Sequence, residues 1–269
     1  GGGEMILAAH ISNAHITLGC IGSRGVYFTS RFATLVQKTE DEYAVDFYRV
    51  LELNGVSAAG IEGAVISSVV PPADFAVTRA LEKVTGHRPL VVGPGVKTGL
   101  NIRIDDPAQL GANLVAGAVA ALDRYTPPMV IFDMGAATTA SVINRKGQYT
   151  GGFISPGVRI ALDAGASGTA QLPRVALERP ETVIGRSTVS ALQSGAVYGT
   201  AGMLDGMVSR IAGEMGEPEK ELTVIATGGP AEEAITALCH HPVIFDRQLT
   251  LHGLWLIWKK NTRPGPGKS

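Results

Sequence analysis

The chain carries two near-copies of one short pattern, and this duplication constrains its fold more than any bulk property. An apolar run, residues 5–9, leads into HISNAHITLG, His10 to Gly19. Much later a second run, residues 129–132, leads into DMGAATTASV, Asp133 to Val142. Laid over each other, His10 falls on Asp133 and Ser12 on Gly135. Each copy reads as a buried strand, a sharp turn and a second strand.

The segments after the two copies are also alike. In the first half, strands at 5–9, 16–21 and 26–33 form an antiparallel meander with GSRG in its turn. Thr39 and Glu42 make a capping box for a helix reaching residue 53. A β-branched strand over 63–69 is stopped by Pro71-Pro72, a helix covers 73–85 and a short strand 90–92. An Ala-rich helix over 107–124 starts after Asp106 as its N-cap. The second half has strands at 129–132, 138–144 and 148–154. Helices at 157–164, 187–215, 230–239 and 250–260 then alternate with buried strands at 222–226 and 243–245. Both halves read β-β-β-α-β-α-β-α, a duplication of a whole half-protein with no shorter solenoid period.

The length of 269 residues accommodates either one large domain or two of about 120 residues. The duplication favours two, at 5–124 and 125–261. Residues 1–4 read as a tag remnant, and 262–269 as a tag or disordered tail. Apolar residues make up 45% and charged residues 17%, which argues for a buried core and against disorder. A formal net charge of -1 and scattered basic residues predict no nucleic-acid footprint. No apolar run predicts a membrane span, and no leader pattern precedes Met5, so a cytoplasmic protein is expected. Cys20 and Cys239 are expected to be reduced core thiols.

Two α/β halves that each open with a strand, a turn and a hairpin predict two domains facing a cleft. This is the ribonuclease H-like architecture of actin, heat-shock-70 proteins and sugar kinases. In that fold the two turns grip nucleotide phosphates. Backbone amides donate to phosphate oxygens, and an Asp positions a metal or its water.

Several further runs carry a specific likeness: SSVVPP at 67–72, VVGPGVKTGLNIR at 91–103, GGFISPGVRIALDA at 151–164 and ERPETVIGRSTVSALQSG at 178–195. DEYAV at 41–45, LPRV at 172–175, ATGG at 226–229 and LTLHGLWLI at 249–257 extend it. Together they resemble type III pantothenate kinases, the Bvg accessory factor family, from residue 5 to about 261. The resemblance implies ATP-dependent phosphorylation of pantothenate, the first step of coenzyme A synthesis. It also implies use of Mg²⁺ and of a monovalent cation such as K⁺, and a homodimer with the substrate pocket near the subunit interface. Carried over position by position, Gly95, Lys97, Thr98, Gly99, Gly111 and the partner-reaching Thr188 are expected at the pantothenate site. Ser12, Asn13, Gly135, Ala136, Thr138 and Thr139 are expected around nucleotide, and Asp133 at the cation.

The chain departs from the family at the reacting groups. The family's first turn reads D-x-G-N-T; here it is His10-Ile11-Ser12-Asn13-Ala14. Mg²⁺ prefers oxygen ligands, so a neutral imidazole is a poor substitute. Ser12 adds a side chain where backbone should approach phosphate, and Ala14 lacks a hydroxyl. The family's G-A-D-R becomes Gly111-Ala112-Asn113-Leu114. Asn113 stands where the general base is expected and cannot accept a proton. Leu114 replaces a substrate-contacting Arg. In the second turn Asp133, Gly135, Thr138 and Thr139 match, while Ala136 replaces a Thr.

These losses predict a pseudo-kinase, or a partner subunit completing the pocket of an intact paralogue in a heterodimer. Two rivals are an active kinase that recruits Asp105, Asp106 or Asp133, and a non-catalytic sensor of pantothenate, coenzyme A or nucleotide. Three other features have ordinary readings beside functional ones. His10 with His15 is a hydrogen-bonded histidine or a metal pair; His240-His241 is a loop or a metal site. Trp255 and Trp258 are core packing or a partner surface.

Overall fold

The structure is a computed structural model that describes residues 4–169 and 171–262. Its chain divides into two compact units. The first contains residues up to Leu100, Asp105–Asp123 and the chain from Gln248 onward; the second contains Asn101–Ile104 and Arg124–Arg247.

The first unit is built on β1 (Met5–Ile11), β2 (His15–Gly22), β3 (Gly25–Ala33), β4 (Gly63–Ser68) and β5 (Leu90–Val91), in the order β3-β2-β1-β4-β5. β1 is antiparallel to β2 and parallel to β4. Side chains alternate across it, so both faces are buried. Leu7, Ala9 and Ile11 join a core with Tyr43, Phe47, Leu51, Val77 and Leu81, under α1 (Glu40–Leu53) and α2 (Pro71–Thr85). Ile6 and Ala8 join a second core with Val65, Ala116, Leu254 and Trp258, under α3 (Ala112–Arg124) and α7 (Leu249–Thr262). The capping box of Thr39 and Glu42 is formed as expected. Pro71-Pro72 does more than end β4: the two prolines occupy the first helical positions of α2, where a missing N–H costs nothing.

The second unit repeats the order. β7 (Met129–Met134), β8 (Ala137–Ile143), β9 (Gln148–Pro156), β10 (Thr223–Gly228) and β11 (Ile244–Phe245) are arranged β9-β8-β7-β10-β11. One more strand, β6 (Asn101–Ile102), pairs with β9 at the far edge. Phe132, Met134 and Ala140 pack under α5 (Thr188–Met215) and α6 (Pro230–Thr236) with Val197, Leu204 and Ile235. The short α4 (Val158–Gly168) adds Val158. α5 starts at the Ser187 cap and stops at Gly216, whose φ of 67° ends the helix. The two sheets share one strand order, three antiparallel strands followed by two parallel ones, and this is the duplicated actin-like α/β architecture expected.

Three expectations need correction. The helix expected over 107–124 is broken: Asp106 caps a single 3₁₀ turn, Pro107–Gln109, and α3 begins at Ala112. Between them Leu110 is extended and packs into the α3–α7 core, which the continuous pattern did not reveal. The last helix belongs with the first unit, not the second, because Leu251, Leu254 and Trp258 pack with Ile6, Ala8 and Val65 on the β1–β4 face. Thr262, assigned to the tail, closes that helix. Residues 1–3 and 263–269, also assigned to tag or tail, lie outside the described residues.

Candidate functional site

His10 is the penultimate residue of β1, on the face shared with Ile6 and Ala8. Its strand neighbours there are Thr17 on β2 and Ser67 on β4. Ser67 is fully buried, and its Oγ lies 2.9 Å from His10 Nδ1. The turn after β1 is closed on itself. Ser12 donates from both its backbone N–H, at 2.9 Å, and its hydroxyl, at 2.8 Å, to the carbonyl of His15. Thr34 holds the turn from outside by donating its hydroxyl to Ser12 O at 2.8 Å and its N–H to Ala14 O at 3.0 Å. Asn13, Ala14 and His15 are exposed.

Asp133 takes the same place in the second unit. It is flanked by Thr139 on β8 and Thr227 on β10, so each unit puts a hydroxyl on either side of this position. Thr139 Oγ1 is buried with no hydrogen-bond partner. The N–H of Gly135 donates to Ala137 O at 2.9 Å, and the exposed Gly135 and Ala136 form the turn. Gly157, in the ISPG run, donates to Ala136 O at 2.9 Å, and a Cβ there would lie 2.8 Å from the Ala136 carbonyl carbon. Glycine is what allows this second backbone to buttress the turn. Thr138 is buried on the opposite face, across from Met134, and does not join Asp133 and Thr139.

The first unit holds the other carried-over residues except Thr188. Gly111, Asn113 and Leu114 open α3, with Gly111 O accepting from Leu114 and Val115 at 3.0 and 3.1 Å. Gly95, Lys97, Thr98 and Gly99 form the loop after β5, with φ of 90° at Gly95 and 75° at Gly99. Asp106, a rival carboxylate, is engaged in its cap, accepting from Ala108 N–H at 3.2 Å and from Gln109 Nε2 at 2.8 Å. Thr188 is exposed at the first turn of α5 in the second unit.

The two turns differ in what they can hold. Asp133 with the orphaned Thr139 hydroxyl offers hard oxygen donors of the kind a phosphate-bound or monovalent cation takes. These residues fit the group that the fold implies. The first turn does not fit Mg²⁺: its leading side chain is an imidazole, and Ser12 spends its hydroxyl on His15 O. No group of three or more His, Cys, Asp or Glu among the described residues is arranged to hold a metal.

His240 and His241 lie in a loop held by hydrogen bonds. His240 and His241 donate their backbone N–H groups to the Asp205 carboxylate at 2.8 and 3.0 Å. They line a cavity of about 820 Å³ at the opposite end of β10 from the turns, with Asp205, Glu219 and Ile244. Trp255 and Trp258 are 4% and 7% exposed, with rings stacked at 5.8 Å, so packing accounts for both. Sequence reasoning passed over Thr17, Ser67 and Thr227. The register alone reveals them, although all three stand inside runs the sequence singles out: HISNAHITLG, SSVVPP and ATGG.

Comparison with known proteins gives the family and the fold. The family model for type III pantothenate kinase matches residues 6–210. A type III pantothenate kinase of Bacillus cytotoxicus is 41% identical, covering 96% of this chain and 97% of its own. That of Halalkalibacterium halodurans is 41% identical over 96% of this chain and 100% of its own. Among solved structures, a Baf-family protein of Campylobacter jejuni described as a transcriptional activator aligns with a TM-score of 0.58 at 18% identity, over 95% of this chain and 98% of its own. The activator of 2-hydroxyisocaproyl-CoA dehydratase from Clostridium difficile, solved with ADPNP, aligns with a TM-score of 0.53 at 10% identity, over 98% and 100%. The solved structures speak for the fold, and the sequence matches speak for more: the chain belongs to the type III pantothenate kinase family.

Proposed function

We propose that this chain is a pantothenate kinase homologue of coenzyme A synthesis that has lost most or all of its phosphoryl transfer and acts as a pseudo-kinase or partner subunit. The observation that supports this most is the pairing of His10 with Ser67. Where the family's carboxylate would face metal and phosphate, an imidazole is held by a buried hydroxyl. When bound, Mg²⁺-ATP supplies the phosphoryl donor and neutralises charge on it. This chain's part is to align the pantothenate hydroxyl and take up its proton. Asn113, the aligned group at the start of α3, has no basic oxygen for that proton. Losing a positioned base costs about 10²–10⁴ in rate. Poor alignment and charge stabilisation cost more, because phosphoryl transfer depends on little else.

The partner-subunit reading is supported by the surface beside Thr188. Val183 and Ile184 are 62% and 82% exposed there, an apolar patch suited to subunit contact. The dimer, either of this chain with itself or with an intact paralogue, is proposed at this surface. Asp133 and Thr139 support retained nucleotide or cation binding without turnover.

A coupled kinase assay with pantothenate, Mg²⁺-ATP and saturating K⁺ tests the reading. The variant for comparison combines His10→Asp, Ser12→Gly, Asn113→Asp and Leu114→Arg. The expected result is a silent wild type and an active revertant. Wild-type turnover of about 1 s⁻¹ or more, ordinary for a kinase, would refute it.

A further inference from the structure

The loop that carries GPGVKTG is held by a side chain from the far end of the sequence. Lys97 N–H donates to Asn261 Oδ1 at 3.1 Å, and Asn261 Nδ2 donates back to Lys97 O at 2.8 Å. One planar carboxamide thus pairs with both backbone groups of one residue, as a neighbouring strand would. The other Nδ2 hydrogen goes to Ile257 O at 2.7 Å, one turn back in α7. That bond fixes the side chain's direction. The orientation of the amide is also determined: a flip would set its oxygen against two carbonyls and its NH₂ against the Lys97 N–H.

The rest of the loop is held by local bonds. Val96 N–H donates to Gly93 O at 3.1 Å, and Leu100 N–H to Thr98 Oγ1 at 3.2 Å. Two glycines at positive φ make such a loop costly to order. α7 contributes once more: the Lys260 side chain passes close over the loop at Gly99, where a Cβ would lie 2.7 Å from its Nζ. α7 itself is anchored, with Trp258 packed against Gly63 and Leu254 in the core.

We propose that Asn261 is a positioning residue for substrate binding. By clamping Lys97 it orders the segment from Gly95 to Gly99 before pantothenate arrives, so the ligand does not bear that ordering cost. The proposal rests on the reading of these residues as part of the pantothenate site. It assigns a role to a residue that the sequence pattern placed at the very edge of the folded chain.

The test compares wild type with Asn261→Ala and Asn261→Asp. Hydrogen exchange reads the Lys97 amide and, as a control, the buried β1 amides of Ala8 and Ala9. Calorimetry reads pantothenate binding. In Asn261→Ala, Lys97 exchange rises and pantothenate affinity falls about tenfold, with β1 protection unchanged. Asn261→Asp falls further, since a carboxylate oxygen then faces the Lys97 carbonyl. Unchanged Lys97 exchange in both variants overturns the clamp. Loss of β1 protection in step with affinity overturns positioning in favour of general destabilisation. A wild type that does not bind pantothenate overturns the ligand half together with the site reading. Lys97 exchange would then still decide the clamp.

Discussion

His10 and Ser67 stand side by side on parallel strands, with Nδ1 and Oγ 2.9 Å apart, where the second unit places Asp133 beside Thr227. The duplicated fold therefore keeps a hydroxyl residue at this neighbouring position, while the residue it flanks is Asp in one unit and His in the other. Ser67→Ala leaves His10 without this partner in a half-buried setting. Unfolding free energy is expected to fall by about 1–2 kcal/mol in urea titration. His10→Asp keeps a hydrogen-bonded pair, because the serine hydroxyl can donate to a carboxylate. It is expected to fold with stability within about 1 kcal/mol of wild type. A collapse of His10→Asp would show that the first turn has been rebuilt around the imidazole.

The Thr139 hydroxyl is a buried polar atom without a partner, and folding bears its desolvation. Thr139→Val removes that cost at constant shape. The ligand-free protein is expected to gain up to about 1 kcal/mol, with a higher melting temperature. Any thermal shift produced by K⁺ or by an ATP analogue in wild type should shrink or vanish in the variant. Destabilisation by Thr139→Val would mean that the hydroxyl is satisfied in the folded protein.

α7 meets α3 at a glycine. A Cβ on Gly253 would lie 2.9 Å from Ala116 Cα, and the obstruction is backbone that cannot rotate aside. Gly253→Ala is expected to cost about 1–3 kcal/mol, despite its better helix propensity. Gly213→Ala, in α5 with nothing near its Cβ position, is the matched control and should be neutral or stabilising.

Burial holds both thiols protonated. Cys20 is pushed up from 9.0 to about 11 by desolvation. Cys239 is pushed up to about 12 by desolvation and by the Asp205 charge. The unfolded chain releases these protons at lower pH, so it binds fewer protons than the folded chain above that point. Their contribution to stability is complete below about pH 9 and is lost as pH rises toward 11–12. Urea midpoints should decline from about pH 9 to about pH 11, and Cys20→Ala with Cys239→Ala should flatten the decline. At pH 8 a thiol-reactive dye should label Cys20, which is buried, only as fast as the protein opens, whereas the half-buried Cys239 should react sooner.

Much of this molecule is legible in its sequence because two periodicities and a few caps dominate it. The strand–turn–strand repeat, the Thr39 box and the Ser187 start of α5 each rest on local chemistry, and each is found where the pattern puts it. The reading fails where tertiary packing decides. Leu110 breaks a good helical pattern because its side chain is drawn into the α3–α7 core. β6 has two residues, too few for any alternation to register. Thr138 and Thr139 are equivalent as letters, but a period of two sends one to the core and leaves the other beside Asp133. Ser67 could not be joined to His10 from spacing, since 57 residues separate them and only the β1–β4 register makes them neighbours.

The return of α7 to the first unit has a consequence for synthesis on the ribosome. Chains usually fold from the N-terminus as each domain emerges. Here the sheet face formed by Ile6, Ala8 and Val65 has to wait for Leu251, Leu254 and Trp258, encoded far downstream. The second unit, continuous from Arg124 to Arg247 apart from one short edge strand, has all of its core before that helix appears. The half translated first is therefore completed last, and its unfinished apolar face is what a chaperone would meet on the nascent chain.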